Sequence, residues 1–316
     1  MIRDEEMADV TFLGVLSGCS ARRSECRVAS HTSEEQRRNA PVSATQNGIL
    51  AVSSSLNVHV ASIGLCGAGM ADWLAGRAVL RGEMPCDGVI PKPVAAILPP
   101  AERRRCGQAT RYALQVAQEC MNQSDIAPRQ AAVVFASADA DGENLHHILE
   151  SLAQSEREVS PTRFHNSVHN AAAGYWNIAT GARTSANSLA AYDASFVAGL
   201  LEAAVQAVAE NIPVLLVAFD LPFPSPLNEA RLITTPFAAA LLLTPESTET
   251  SLARLQISLG DEQADSAMNC ATLEALRSGN PAARVLPLLQ AIAANQTQQL
   301  KLSYGINSLT IVVDKP

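Results

Sequence analysis

The chain has 316 residues, 47% of them hydrophobic and only 17% charged, with a net charge of −8 at pH 7. That length buries a sizeable core as one large domain or two small ones, and the composition is that of a globular protein rather than a disordered one. The acidic balance argues against a nucleic-acid binder, since nothing would neutralise phosphates.

Taken in chain order, residues 1–55 read as a disordered leader or as a start placed too early, because Ser30 to Ser55 is a polar run containing Glu34, Glu35, Gln36, Arg37 and Arg38. Leu16-Ser17-Gly18-Cys19 has the look of a lipobox, but the residues before it are acidic where a signal needs positive charge. Order is expected from Leu56, with a strand at Val58, Val60 and Ile63 and a turn at Gly64, Gly67 and Gly69. That glycine run lacks the G-x-G-x-x-G order of a dinucleotide loop. A short helix carrying Met70, Trp73, Leu74 and Val79 precedes a proline-rich extended connection from Pro85 to Pro100.

Pro99-Pro100-Ala101-Glu102 opens a predicted helix to about Asn122, with Ala109, Tyr112, Ala113, Val116 and Cys120 on one face. The run Arg103-Arg104-Arg105 reads as a solvated helix start rather than a phosphate site. Gln130 to Ser137 is a buried strand, Asp139 to Asp141 a turn, and Glu143 to Ala153 a helix. A strand at Ser185 to Ala190 leads into a helix from Ala194 to Glu210. Further strands are expected at Ile212 to Asp220, Phe237 to Thr244, Leu255 to Leu259 and Leu309 to Val313, with a helix over Ala283 to Ala294. Strands alternating with helices make an α/β layered fold.

Seven scattered cysteines without a CxxC pair indicate neither zinc nor a disulfide framework, and they suit a reducing cytoplasm. No apolar run reaches the roughly 18 residues of a membrane span. His165 and His169 stand four apart, as metal ligands on a helix do, but no third ligand is evident and structural hydrogen bonding is the favoured reading. His146 and His147 are adjacent and therefore point to different faces of a helix.

The most telling stretch is SPTRFHNSVHNAAAGYWNIATGARTSANSLAAYDASFVAGLLEAA, from Ser160 to Ala204. Together with AGMADW, LPPAERRR, VFASADADGENL and TTPFAAALLLT, it resembles the β-ketoacyl synthases of the thiolase fold, over about Val58 to Val313. Within that family it is most similar to the shortened, synthase-like chain length factors of aryl polyene clusters. The resemblance implies a thiolase-like layered fold with a complete N-terminal half and a shortened C-terminal half, spanning residues 56–316. It also sets Gly181 to Ala204 on the family's nucleophile segment without a gap. The catalytic cysteine then falls on Asp193, on an elbow made of Ala190, Ala191, Tyr192, Asp193, Ser195 and Phe196.

Family members that condense also carry histidines in the C-terminal half, one in an HGTGT-like loop and one before a glycine-rich loop. Here no histidine follows His169, and Leu302-Ser303-Tyr304-Gly305-Ile306-Asn307 stands where the glycine-rich loop would be. Condensation needs a soft nucleophile to hold the acyl group and hydrogen-bond donors for the enolate, and neither is present. The resemblance therefore implies a non-catalytic subunit with no metal or soluble cofactor. Its partners would be an active ketosynthase, bound as a heterodimer, and acyl carrier protein. Interface positions on this reading are Phe164, His165, His169, Tyr175, Trp176, Ser185, Asn187 and Leu189, with aromatic anchors favoured. Small residues at Ala190, Ala191 and Ala194 would allow close approach of the two chains.

Asp193 has two readings, an N-cap for the following helix or a charge in a remnant acyl pocket. The cap is favoured because a buried unpaired carboxylate is costly, and Asp193→Ala should then destabilise while Asp193→Asn should not. A stand-alone thioester hydrolase or decarboxylase using Asp193 or His165 is the alternative. A Ser195, histidine and Asp193 triad lacks the G-x-S-x-G elbow. A homodimeric protein binding carrier-tethered chains is a third possibility.

Overall fold

Apolar runs bounded by turn residues become the strands of a single mixed sheet in the structure, a computed structural model that describes residues 55–316. The strands are β1 (Leu56–Gly67), β2 (Ala132–Ala136), β3 (Ala186–Leu189), β4 (Val214–Asp220), β5 (Phe237–Thr244), β6 (Ala253–Asp261), β7 (Gln298–Tyr304) and β8 (Asn307–Asp314). Their order across the sheet is β3-β2-β4-β5-β1-β6-β8-β7. β2 runs parallel to both β3 and β4, with Val134 opposite Asn187 on one side and Leu216 on the other. The remaining ladders are antiparallel.

The helices are α1 (Trp73–Leu80), α2 (Pro100–Arg105), α3 (Gln108–Asn122), α4 (Gly142–Ala153), α5 (Pro161–Asn166), α6 (Ala171–Thr180), α7 (Ser195–Glu210), α8 (Leu227–Ala230), α9 (Ala271–Gly279) and α10 (Leu286–Ala294). They cover both faces of the sheet. Tyr112 and Val116 of α3 and Trp176 of α6 pack on Val133, Phe135, Leu215 and Val217. Leu200 and Ala203 of α7 join Leu288 and Leu289 of α10 against Val134, Leu216 and Ala218 on the other face. The alternation of β4 between two cores explains why its sequence is apolar without a break. Gly199 lets α7 approach closely, since a Cβ there would lie 2.7 Å from the Ala136 Cβ. Gly64 does the same for β1 beneath α3, where a Cβ would meet the Val116 carbonyl.

The α/β layering matches the expectation, with helices on both faces of one mixed sheet. Five readings change, the first being that Gly64 and Gly67, expected in a turn, lie within β1, where both faces of the strand are buried. The single helix from Pro100 to Asn122 is two, α2 and α3, broken at Cys106 and Gly107, where the Cys106 backbone is extended. β7 and α9 were not expected. Met70 precedes its helix, joined to Gly67 by an isolated bridge. The expected leader at residues 1–55, with Cys19, lies outside the described residues except for Ser55. No helix among the described residues is long and apolar enough to cross a membrane.

Candidate functional site

The parallel strands β3, β2 and β4 end side by side, and polar residues gather where they end. Open α/β sheets bind ligands at this end of their parallel strands. β2 runs out into Ser137, Ala138 and Asp139, β4 ends at Asp220, and β3 leads through a 3-10 turn, Tyr192–Ala194, into α7.

Asp220 is buried, and its Oδ1 accepts hydrogen bonds from the Ser137 hydroxyl at 3.0 Å and the Ala138 amide at 2.8 Å. The Ser137 hydroxyl in turn accepts from the Ala140 amide at 2.8 Å, and its carbonyl lies 3.0 Å from His169 Nε2. The Asp220 carbonyl accepts from the Asn280 amide group, which also reaches Thr235. Burial pushes the Asp220 carboxyl up to about 7 despite the opposing bonds from Ala138 and Ser137. Because the folded-state value lies above the ordinary carboxylate value, folding favours the protonated form. The stability it contributes is present at low pH and fades as pH rises through about 7. Asp220→Asn is therefore expected to flatten the loss of stability between about pH 4 and pH 7. Denaturant unfolding across that range checks this, and an unchanged slope in the variant would contradict it.

Asp193 is on the surface of this cluster, its side chain 50% exposed. Its Oδ1 is 2.8 Å from Arg231 Nη1, while Arg231 Nε lies 3.3 Å from Asp139 Oδ2. The guanidinium carbon sits 3.6 Å over the Tyr192 ring, and Tyr192 takes a left-handed backbone with φ of 52°. Desolvation works against the charge on Arg231, but the Asp193 bond and the Asp193 and Asp139 charges outweigh it and raise its pKa. Arg231 thus clamps the elbow to the end of β2.

The N-cap reading of Asp193 does not hold. α7 begins at Ser195 without a side-chain cap, and Asp193 points instead to Arg231. Ser195 does the local work: its hydroxyl donates to the Tyr192 carbonyl at 2.7 Å and accepts from the Ala191 amide at 2.9 Å. Asp193→Ala is consequently expected to change stability by less than about 1 kcal/mol, the scale of an exposed ion pair. A melt showing a larger loss for Ala but none for Asn would restore the cap.

The other expected residues separate into distinct places. Ala190 and Tyr192 are exposed and Ala191 and Ala194 half-buried, while Ser195 and Phe196 are buried under the elbow. Phe164 is exposed, but Tyr175 and Trp176 are core residues, with 2% and 0% of their surface accessible. These two are therefore not free to anchor a partner. Tyr175 also donates to Asn166 Oδ1 at 2.9 Å. His165 on α5 packs edge-on against Tyr175, with ring centroids 6.3 Å apart, and His169 lies beyond that helix. Neither histidine bonds to Ser195 or Asp193 among the described residues, so the triad is not assembled. His146 and His147 converge rather than diverge, both reaching Glu150, at 3.2 and 3.0 Å. No group of three or more potential ligands able to hold a metal occurs among the described residues. Ser185, Asn187 and Leu189 lie along or just before β3, the terminal strand of the sheet.

Sequence reasoning missed Arg231, Ser137 and Asp220. A polar residue closing each of two buried apolar strands was the available signal for the last two. Arg231 stands in a loop 38 residues from Asp193 and left no spacing signature.

The chain belongs to the β-ketoacyl synthase family: the family model described as β-ketoacyl synthase, N-terminal domain, matches residues 82–305. A comparison with curated proteins gave no match. Among solved structures, a ketosynthase in complex with its chain length factor from Xenorhabdus doucetiae is similar at TM-score 0.63 and 23% identity, covering 81% of this chain and 99% of that one. The ishigamide ketosynthase/chain length factor is similar at TM-score 0.63 and 13% identity, over 82% and 99% of the two chains. A type II PKS acyl-carrier protein in complex with its ketosynthase bound to the hexaketide gives TM-score 0.65 at 11% identity, over 83% and 100%. These likenesses establish the thiolase-like fold.

Proposed function

We propose that this chain is a non-catalytic β-ketoacyl synthase homologue, a chain length factor that pairs with an active ketosynthase. The observation that carries the reading is the elbow. At the nucleophile position stands Asp193, engaged by Arg231, and the neighbouring Ser195 hydroxyl is committed to backbone groups. The absence of any histidine after His169 removes the donors that malonyl decarboxylation requires. Against a hydrolase using Asp193 or His165, neither residue has a partner that would activate it as a nucleophile or base.

Support for pairing comes from β3. The Ser185 and Leu189 carbonyls accept from Val133 and Ser137 of β2 and its continuation, so the odd-numbered residues face β2. The backbone groups of Ala186 and Ser188 therefore face the open edge, where a partner strand adds. Asn187 anchors β3 to α7 through Glu202 at 2.9 Å. The helices packed on β3 leave Ile178 of α6 and Val205 of α7 exposed, apolar surface suited to an interface.

On this reading the complex works in the cytoplasm on chains tethered to acyl carrier protein. The chain itself helps close the far end of the partner's acyl tunnel. The product class is a polyene or fatty acyl chain, as in aryl polyene clusters. The solved complexes of ketosynthases with chain length factors and with a carrier protein support such partners for this chain. The purified chain is expected to release no carbon dioxide from malonyl carrier protein, and Asp193→Cys is expected to gain no condensing activity. Carbon dioxide release by the chain alone would overturn the reading in favour of the decarboxylase.

A further inference from the structure

Away from the elbow, five cations from four separate segments converge on one cavity. Lys92 comes from the extended connection, Arg104 and Arg105 from α2, Arg111 from α3 and Arg163 from α5. The cavity measures about 570 Å³, within the ~300–1,000 Å³ range of small-molecule sites. In a chain of net charge −8 this concentration of positive charge calls for a reason. Lys92, Arg104, Arg111 and Arg163 make no ion pair among the described residues, and the Arg111 Nε is buried without a partner. Arg105 has Glu102 at 3.5 Å on the exposed side.

The carboxylates nearby do not balance these charges. Glu143 is the one acid in the lining, and it faces His147 at 3.9 Å. Asp141 lines the adjoining groove, caps α4 through the Asn144 amide at 3.1 Å, and turns its other carboxylate oxygen toward Gly107 at the start of α3. Gly107 and Gln108 open the fifteen-residue α3 into the cavity, with no side-chain cap and no acid in the first turn. The first amides of α3 and the positive end of its dipole face this space with the single Asp141 carboxylate beside them, against five cations. The remaining lining includes the hydroxyls of Ser160 and Thr162 and the amides of Asn144 and Asn166, and no aromatic ring is present to stack on a base.

We propose that this cavity binds a phosphate ester or pyrophosphate group of a small molecule, carrying two or more negative charges. Forked guanidinium groups suit phosphoryl oxygens, and several unpaired cations suit more than one phosphoryl group. The sequence could not reveal this, because Arg163 lies far along the chain from the Arg104-Arg105 pair.

The test is isothermal titration calorimetry of the full chain with inorganic pyrophosphate at fixed ionic strength. Saturable one-to-one binding is expected, weakened at least tenfold in Arg104→Gln and more in Arg104→Gln with Arg163→Gln. Arg104 is exposed and makes no side-chain bond, so the single variant keeps its fold. The exposed Arg129→Gln, outside the cavity, is expected to bind as the parent does. No saturable binding, or equal weakening by Arg129→Gln, would overturn the proposal. Displacement by polyglutamate of matched charge as effective as by pyrophosphate would also overturn it, assigning the patch to an acidic protein surface. The measurement needs no ketosynthase, so its failure leaves the pairing account standing.

Discussion

Ser188→Pro is expected to abolish association with a ketosynthase while leaving this chain folded. Ser188 sits in the middle of the terminal strand β3, opposite Phe135. The parity set by the Ser185 and Leu189 carbonyls turns its amide away from β2. Proline removes a donor and is tolerated where an edge strand's amide faces outward. The substitution therefore spares the bonds that hold β3 in the sheet and removes one that a partner strand needs. Its ring also obstructs the approach of that strand. A loss of at least about 100-fold in affinity, or ~2.7 kcal/mol, is the expected scale. Pull-down and size-exclusion of the variant with the ketosynthase read the first part, and a thermal melt reads the second. Undiminished pairing would place the interface elsewhere.

Trp176→Ala is expected to cost stability rather than pairing. Trp176 is fully buried, in the cluster that α3 and α6 form on one face of the sheet. Removing a buried indole leaves a cavity in a core that relaxes only in part, for a loss of about 3–5 kcal/mol. Equilibrium unfolding in denaturant measures it. A variant as stable as the parent but unable to pair would return Trp176 to the interface.

Trp176 also shows where sequence reading runs short. Aromatic residues are enriched both in cores and at interface centres, so residue type alone did not separate the two. The period in α6, where Ala172, Ala173, Tyr175 and Trp176 are the buried residues, was the better guide. Strands β4 and β5 were legible because both of their faces are buried, which leaves an unbroken apolar run. β7 was not, because QQLKLSY lies at the other edge of the sheet and buries only Leu300 and Leu302. α9 hides for a similar reason, burying Leu273, Leu276 and an Arg277 that is ion-paired to Glu274 and Asp265, in nine residues.

At the site, the missing cysteine and histidines were legible as absences from a known pattern. What replaced them was not. The Arg231 clamp joins Asp139, Asp193 and the Tyr192 ring across three loops, and such long-range pairing has no period. The cap preference of aspartate at a helix start was a sound local rule. A charged partner and the Ser195 hydroxyl overrode it.

The central claim is that this chain serves as the partner of a condensing enzyme and does not condense by itself. Co-expression with the active ketosynthase of its own genome, with a tag on one chain only, tests it most directly. Size-exclusion chromatography with mass determination reads the assembly, and condensation on carrier protein reads the activity. The account predicts a one-to-one complex whose condensing activity depends on this chain. A stable homodimer of this chain that ignores the ketosynthase, with condensation unaffected by its presence, would contradict it.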